Sequence, residues 1–317
     1  MILDPYGLLP AVTAGELRVL RQSTLGTADT CLKRLEYDLD PRIPYGTGEA
    51  RAVGTGYHAG LECYYRWRQG EEVGGQCPTR DDSFAYSDPD LERFLMACIF
   101  AAAIEAFDRE ANTDGFQFDP ESSRDRAVQK ISRMLEEYFL SQRCYWPAGY
   151  EILAVEQEFL YPAPANRPGW AVKGTVDLIL RDPNGWLIIV DHKTATRPWK
   201  KNKHEARQTN QPAWYLHHVR LLCTDPDTGE MPNVAFVFDV MTYDGKFERR
   251  PASRQGHEVA AVIVKAEHVM GLIERGGPYP PNVGSFLCSR RWCDHWLYCP
   301  FGEAMETGQG VPLPVAA

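Results

Sequence analysis

The stretch Gly174-Thr-Val-Asp-Leu-Ile-Leu-Arg-Asp-Pro-Asn-Gly-Trp-Leu-Ile-Ile-Val-Asp-His-Lys193 decides the fold. Two apolar runs flank the segment Asp182-Pro-Asn-Gly185, and an Asn-Gly pair between such runs is a strong signal for a β-hairpin. We therefore predict two paired strands here, Val172–Leu180 and Trp186–Val190.

Polar residues interrupt both strands of this hairpin. Asp177 lies near the middle of the first strand, and Asp191 and Lys193 lie at the end of the second. Residues two apart on a strand project to the same face, and antiparallel pairing can bring Asp177 beside the other two. Two carboxylates with an ammonium form a Mg²⁺ site in which lysine can orient an attacking water. The alternative is a surface ion pair, although an apolar strand ending in Asp-His-Lys is unusual for one.

Strand and helix patterns extend outward from the hairpin in both directions. Strands are predicted at Leu17–Leu20, Ile152–Tyr161, Val234–Met241 and Lys246–Arg250. Helices are predicted at Thr27–Tyr37 (capped by Thr27 or Asp29), Glu49–Arg68, Pro89–Ala111, Arg124–Gln142, His204–Leu222 and Arg254–Glu274. Pro212 inside one of these helices predicts a kink or a later helix start. The layout predicts an α/β fold, a mixed central sheet flanked by helices.

The chain has the composition of an ordinary globular protein, 44% hydrophobic and 24% charged, and its 317 residues could form one large domain or two small ones. We predict a single domain over residues 1–302, with a helical insertion at about 70–141 and a disordered tail at 303–317. No apolar run reaches the roughly 20 residues that cross a bilayer, and the N-terminus lacks the features of an export signal. We therefore expect a cytoplasmic protein.

The net charge of −9 argues at first against a nucleic-acid partner. Phosphate contact depends on local basic patches, however, and a nuclease needs carboxylates for its metal. One patch lies directly after the predicted active-site strand. Its members are Arg197, Lys200, Lys201, Lys203, His204 and Arg207. A solvated helix face is the alternative, but the position of the patch favours contact with a substrate.

The last three of nine cysteines are closely spaced, as Cys288-x4-Cys293-x5-Cys299. Structural zinc and [4Fe–4S] clusters usually take four ligands, so a fourth must come from elsewhere, and Cys31 is the candidate. His295 is a reserve ligand for zinc. A link between positions so far apart closes a very long loop and stabilises the fold strongly in principle.

The hairpin with its Asp and Asp-x-Lys resembles the PD-(D/E)XK nuclease superfamily, specifically its RecB-like branch. That branch adds a helix histidine among small residues, which Gly54-Thr-Gly-Tyr-His58-Ala-Gly matches. It also adds a Gln-xxx-Tyr pattern, matched by Gln211 and Tyr215 on one helix stripe that includes Gln208. Glu156 matches a further carboxylate of this branch. Taken alone, each is an ordinary residue: a helix histidine, a polar helix edge and a salt-bridge partner.

The resemblance implies a restriction-endonuclease-like core in which Asp177, Asp191, the His192 carbonyl and His58 bind Mg²⁺ or Mn²⁺. It implies that Lys193 assists the attacking water, and that Gln211 and Tyr215 position the DNA or the lysine. The cysteines resemble those of an iron–sulphur subset that includes the AddB nuclease domain and CRISPR-associated exonucleases. The resemblance therefore implies a [4Fe–4S] cluster on Cys31, Cys288, Cys293 and Cys299, clamping the N- and C-terminal segments together, with zinc as the alternative.

The expected function is a metal-dependent DNase, an exonuclease rather than an endonuclease. Its substrate would be single-stranded or end-bearing DNA, in repair, recombination, or phage or CRISPR-related processing. Contacts to DNA are expected from Arg197, Lys200, Lys201, Lys203 and Arg207. No GxxxxGK[ST] phosphate loop occurs, so a helicase or recombination partner would be a separate chain. The alternative is a catalytically silent, cluster-bearing DNA-binding or scaffold subunit, against which the intact Asp-Asp-Lys set argues.

Overall fold

One mixed β-sheet forms the centre of the computed structural model. The structure describes residues 2–43, 48–71, 89–113, 116–140, 146–147, 149–199, 209–285, 287–289, 293, 295–296 and 298–302. Within these ranges the strands are β1 (Ile2–Leu3), β2 (Arg18–Arg21), β3 (Glu151–Pro162), β4 (Trp170–Arg181), β5 (Leu187–Ala195), β6 (Val234–Thr242) and β7 (Phe247–Pro251). The helices are α1 (Leu9–Thr13), α2 (Gln22–Thr30), α3 (Leu32–Leu39), α4 (Glu49–Arg68), α5 (Pro89–Ala111), α6 (Arg124–Leu140), α7 (Gln211–Leu222) and α8 (Gly256–Glu274).

The sheet has the strand order β1-β3-β4-β5-β6-β7, and β2 pairs with β4 outside this path. The pairs β3–β4, β4–β5 and β6–β7 are antiparallel, whereas β1–β3, β2–β4 and β5–β6 are parallel. The predicted hairpin is confirmed: the Asp182 carboxylate accepts the N–H groups of Asn184 and Trp186, and Gly185 takes a φ of +85°. Parallel pairing with β6 carries β5 on to Ala195, beyond the predicted end at Val190.

Helices cover both faces of the sheet and bury two separate cores. Helices α4, α5 and α6 pack on one face, where Leu178 and Val190 are fully buried. Helices α2, α3, α7 and α8 pack on the other, around Trp214 and Phe238. The predicted mixed α/β architecture, a sheet flanked by helices, is confirmed.

The predicted helix Thr27–Tyr37 is wrong in one respect. Two helices occupy this region, because Cys31 between them takes an extended conformation with φ −166° and ψ 122°. The first helix begins at Gln22, so neither Thr27 nor Asp29 caps it. Asp29 instead pairs with Asn210 and Lys265, which ties α2 to α7 and α8.

The helix predicted over His204–Leu222 begins at Gln211, after the cap residue Asn210. Pro212 therefore lies in the first turn, where its missing N–H removes no helical hydrogen bond, and the predicted later start is confirmed. Residues 200–208 lie outside the described residues, as do 72–88 and 141–145 at the ends of the predicted insertion and the tail 303–317. Among the described helices, none has the length and apolar character that a membrane span requires.

Candidate active site

Strands β4 and β5 separate where the polar residues begin. Their paired residues run from the turn as far as Leu178 and Val190. Beyond that pair, the Asp177 side chain spans the gap and its Oδ2 accepts the His192 backbone N–H at 2.7 Å. The carboxylate of Asp177 is therefore fixed between the two strands, beside the segment that carries Asp191 and Lys193.

The normal alternation of side chains is interrupted at Asp177. Val176 and Leu178 would share a face in a regular strand, yet they pack into different cores. On the neighbouring strand the break falls at Glu156, which takes a φ of +46°, a left-handed conformation that is unusual for a non-glycine residue. This irregularity places the Glu156 and Asp177 carboxylates together on the side that faces helix α4.

The small residues around His58 allow helix α4 to approach its neighbours closely. A Cβ at Gly56 would lie 2.8 Å from the Ala103 carbonyl oxygen, and one at Gly60 would lie 2.9 Å from Leu135. Gly54 faces Thr194 on β5, and a Cβ at Gly54 would lie 3.4 Å from Thr194 Oγ1. The glycines thus seat α4 between the other helices and the sheet, in the orientation that presents His58 to β3 and β4.

His58, Glu156 and Asp177 form a compact group of potential metal ligands. Nδ1 of His58 lies 3.5 Å from Oδ2 of Asp177 and 3.8 Å from Oε1 of Glu156. Within the described part of the chain, this is the group of three metal-ligating side chains whose ligand atoms all lie within 4.8 Å of one another. An imidazole nitrogen and two carboxylate oxygens suit a divalent cation such as Mg²⁺ or Mn²⁺.

Asp191 and Lys193 extend this group along β5. Lys193 Nζ lies 2.5 Å from Oδ2 of Asp191, whose side chain is only 5% exposed. Gln211, the first residue of α7, donates from Nε2 to the other oxygen, Oδ1. The Asp191 carboxylate is thus held from both sides, while Lys193 remains about one-third exposed and available to a bound molecule.

The electrostatics of the site reflect crowded carboxylates in a poorly solvated place. Burial raises the pKa of Asp191 to about 6, because the opposing effect of Lys193 is incomplete and Asp177 adds repulsion. Burial likewise raises the pKa of Asp177. Burial lowers the pKa of His58, but the Asp177 and Glu156 carboxylates together outweigh this effect and raise the pKa to about 9. The site therefore lacks positive charge beside its carboxylates, and a divalent cation would supply that charge.

Tyr215 lies one turn of α7 beyond Gln211 and is almost completely buried. Its ring stacks on Phe236 with centroids 6.2 Å apart. Burial and the nearby Asp191 and Asp177 raise the pKa of Tyr215, against the effect of its hydrogen bonding to Gln211. The structure thus brings Gln211 into contact with Asp191 and places Tyr215 behind it, whereas Gln208 lies outside the described residues.

The His192 side chain points to the face of β5 opposite to Asp191 and Lys193, towards helix α4, where its ring lies 6.2 Å from the His58 ring. Its buried ring lies nearly parallel to Tyr65, with centroids 6.0 Å apart, and meets the Tyr138 ring edge-on. Burial lowers the pKa of His192 well below its ordinary value. The ring is therefore a neutral packing element, and only the backbone carbonyl of His192 belongs to the predicted ligand set.

Of the predicted DNA-binding patch, Arg197 is described and is exposed just past the end of β5. The remaining members, Lys200, Lys201, Lys203, His204 and Arg207, lie outside the described residues.

A second site lies at the opposite ends of the sequence. Cys31, Cys288, Cys293 and Cys299 line one cavity, which also includes Tyr37 and Trp296. The extended residue Cys31 separates α2 from α3, and its Sγ accepts the Asn282 backbone N–H at 3.4 Å. The Asn282 side chain in turn donates to the Thr30 carbonyl at 3.0 Å. The structure thus brings the four predicted cysteines together.

His295, the reserve zinc ligand, is engaged elsewhere. It is fully buried, and its Nε2 lies 2.7 Å from Oδ1 of Asp38 on α3.

The sequence gave no indication of a role for Tyr37, although Tyr37 shares the predicted helix with Cys31. Two other features were also missed: the Asp239–Arg249 ion pair and the left-handed conformation of Glu156. Neither a lone acidic residue in an apolar strand nor a backbone dihedral leaves a clear sequence signal.

Comparison with known proteins gives one family. The sequence profile of the PD-(D/E)XK nuclease superfamily matches residues 22–300. No functionally curated protein gives a significant match. Solved structures similar to the chain include SSO0001, with 15% identity, a TM-score of 0.36, and coverage of 88% of this chain and 95% of that one. Another is a Eubacterium rectale protein named provisionally as an exonuclease, with 13% identity, a TM-score of 0.42, and coverage of 100% and 97%.

Proposed function

The chain belongs to the PD-(D/E)XK nuclease superfamily, and on this premise we propose that it is a Mg²⁺- or Mn²⁺-dependent deoxyribonuclease. The observation that carries the proposal is the convergence of His58, Glu156 and Asp177 with the Asp191–Lys193 pair. These residues come from α4, β3, β4 and β5, so their meeting is a property of the fold and not of one local motif. A surface ion pair at a hairpin end would not recruit an imidazole from a helix.

The donor set fits a hard divalent cation. His58, Asp177 and Asp191, with the His192 carbonyl, would hold the ion, and Glu156 would add a further carboxylate. When bound, the cation supplies Lewis-acid activation of water and of the scissile phosphate. Lys193 orients the attacking water and offsets the negative charge that develops on the phosphoryl oxygens. Gln211 keeps the Asp191 carboxylate in its rotamer, and Tyr215 supports Gln211 from the core.

We further propose that the substrate is single-stranded or end-bearing DNA and that cleavage is exonucleolytic. The resemblance to the RecB-like branch supports this, through His58 and the Gln211–Tyr215 pair. The exposed Arg197 at the end of β5, with Lys200, Lys201, Lys203 and Arg207, would contact the DNA backbone. A motor or recombination partner would be a separate chain, and repair, recombination or phage-related processing are the settings that such a nuclease would serve.

The four cysteines fit a metal group that is larger than a single zinc ion. Tetrahedral zinc, with Zn–S bonds of about 2.3 Å, places its thiolates about 3.8 Å apart. Among the described residues, the group of three metal-ligating side chains whose ligand atoms all lie within 4.8 Å of one another is His58, Glu156 and Asp177. The four cysteine sulphurs form no such group of three, so they are more widely spaced. The wider separation suits a [4Fe–4S] cluster, which we propose as the occupant. Metal and sulphide analysis after anaerobic purification tests this, and one zinc without sulphide would refute it.

Cleavage of labelled DNA by the purified chain tests the nuclease proposal. Linear single strands labelled at the 5′ or 3′ end should be degraded with Mn²⁺ or Mg²⁺ and not with EDTA, whereas a circular single strand should survive. Lys193→Met should lower the rate by about 10²- to 10³-fold. Its matched control is Lys173→Met, since Lys173 lies on β4 in an ion pair with Glu158 outside the site. Cutting of the circle would show an endonuclease, and DNA binding without cleavage would favour the silent scaffold subunit.

A further inference from the structure

The hydroxyl of Tyr37 is buried at the wall of the cysteine cavity. Tyr37 is only 3% exposed, and its Oη has no hydrogen bond of ordinary geometry to any residue that the structure describes. Burying a hydroxyl without a partner is unfavourable, so buried donors nearly always meet an acceptor. The position of this donor therefore calls for an acceptor inside the cavity.

The group that Tyr37 faces is the thiol of Cys299. Burial raises the pKa of Tyr37, and its interaction with Cys299 raises it further, as does Cys293 to a smaller extent. Tyr37 and Cys299 also belong to one small apolar cluster with Ile43. A neutral thiol is a weak acceptor, whereas a thiolate that binds metal is a strong one.

The ring of Tyr37 cannot easily turn its hydroxyl elsewhere. The His295 ring meets it edge-on with centroids 5.4 Å apart, and Lys33 Nζ lies 5.3 Å from its centroid. His295 is itself fixed by Asp38, one residue after Tyr37 on α3. The hydroxyl is thus preorganised towards the cavity before any metal arrives.

We propose that Tyr37 donates a hydrogen bond to the Cys299 thiolate and thereby sets the stability and reduction potential of the metal group on the cysteines. The inference rests on the proposed function only in requiring that these thiols bind metal. A second donor acts on another ligand, because the Asn282 backbone N–H points at Cys31 Sγ. Hydrogen bonds to the sulphurs of a cluster stabilise its more negative, reduced form.

The first test compares Tyr37→Phe with Tyr298→Phe in the iron-loaded full chain. Tyr298 packs against the same small cluster, so its variant controls for loss of a hydroxyl nearby. Tyr37→Phe should shift the reduction potential to a more negative value and speed the loss of iron to a chelator by about tenfold. An unchanged potential and release rate, or equal changes in both variants, would overturn the proposal.

The second test uses Co²⁺, a thiolate probe that does not depend on the native metal. Titration of the metal-free chain should give a sulphur-to-cobalt charge-transfer band, and Tyr37→Phe should weaken Co²⁺ binding by about tenfold. Equal affinities would overturn the role of Tyr37 and leave the cysteine site intact. Failure of the wild type to bind either Co²⁺ or iron would overturn the cysteine site itself, and would leave the nuclease proposal standing.

Discussion

Arg249 donates two hydrogen bonds of 2.7 Å to the buried carboxylate of Asp239. Asp239 is 1% exposed and pairs in register with His192 on the strand that carries the active-site residues. The guanidinium also lies 3.6 Å from the centroid of the Trp146 ring. This ion pair therefore supports β5 from the face of the sheet opposite to Asp191 and Lys193.

Removing one partner of this pair should be strongly destabilising. Arg249→Met leaves the Asp239 charge buried without compensation, and we expect a loss of about 3–5 kcal/mol in the free energy of unfolding. Adding Asp239→Asn should recover part of the loss. Arg124→Met is the control, because it breaks an exposed pair with Asp108 and should cost much less stability. Denaturant unfolding measures all three, and equal losses for Arg249→Met and Arg124→Met would contradict the expectation.

The backbone of Glu156 allows metal binding to be separated from strain. Glu156→Gly and Glu156→Ala both remove the carboxylate, so both should weaken Mn²⁺ binding. Only glycine adopts the φ of +46° readily, so Glu156→Gly should be more stable than Glu156→Ala by about 1 kcal/mol. Thermal unfolding and Mn²⁺ titration give the two readouts. If alanine proves the more stable of the two, the strain argument fails.

Gly56 tests the close seating of helix α4. A Cβ there would lie 2.8 Å from both the Ala103 carbonyl oxygen and Ile131 Cδ1. Gly56→Ala should therefore destabilise the fold by about 1–3 kcal/mol and displace His58, raising the Mn²⁺ concentration that cleavage requires. Gly26→Ala, on helix α2 with open space around it, should be neutral or stabilising by up to about 1 kcal/mol. A neutral Gly56→Ala would show that α4 has room to move.

Buried His218 should make stability depend on pH. Burial lowers the pKa of His218 to about 3, with His217 adding to the effect and the Trp214 carbonyl opposing it. The unfolded state, with a pKa of about 6.5, then binds more protons between about pH 3 and pH 6.5. Stability should therefore fall as the pH drops below 6.5, by about 2 kcal/mol at pH 5.

Unfolding at pH 7 and pH 5 checks this through His218→Phe, which keeps an aromatic ring against Phe159. The stability of this variant should fall by about 2 kcal/mol less than that of the wild type between the two pH values. The control His257→Gln removes an exposed histidine and should behave like the wild type. An identical pH dependence in His218→Phe and wild type would show that His218 is not the group responsible.

The sequence was sufficient where a local pattern determines local structure. The Asn184-Gly185 turn predicted the hairpin, and the hairpin placed Asp177 beside the Asp191–Lys193 strand. Helix α4 was predicted with its observed bounds, Glu49–Arg68, since twenty residues of helical periodicity carry a clear signal. The order of the strands in the sheet, and the parallel pairing of β2 with β4, depend on long-range packing that no such pattern reports.

The rest of the site could not be predicted because tertiary contacts decide it. Cys31 lies in a stretch with ordinary helical periodicity, yet the backbone is extended there, where its thiol joins the distant Cys288 and Cys299. Glu156 lies in an apparently regular strand, and its left-handed conformation appears only beside Asp177. At both positions, tertiary contacts between side chains of the candidate sites override the local conformational preference.

The contacts of helices α2 and α3 also constrain how the chain is made. Cys31 meets Asn282, and Asp38 meets His295, so an early segment finds its partners some 250 residues later. A ribosome delivers residues in order, so helices α2 and α3 cannot complete these contacts until the later partners have been synthesised. Nascent chains halted before residue 280 should therefore keep this surface open to chaperones, and docking of α2 and α3 should follow only after Asn282 and His295 have been synthesised.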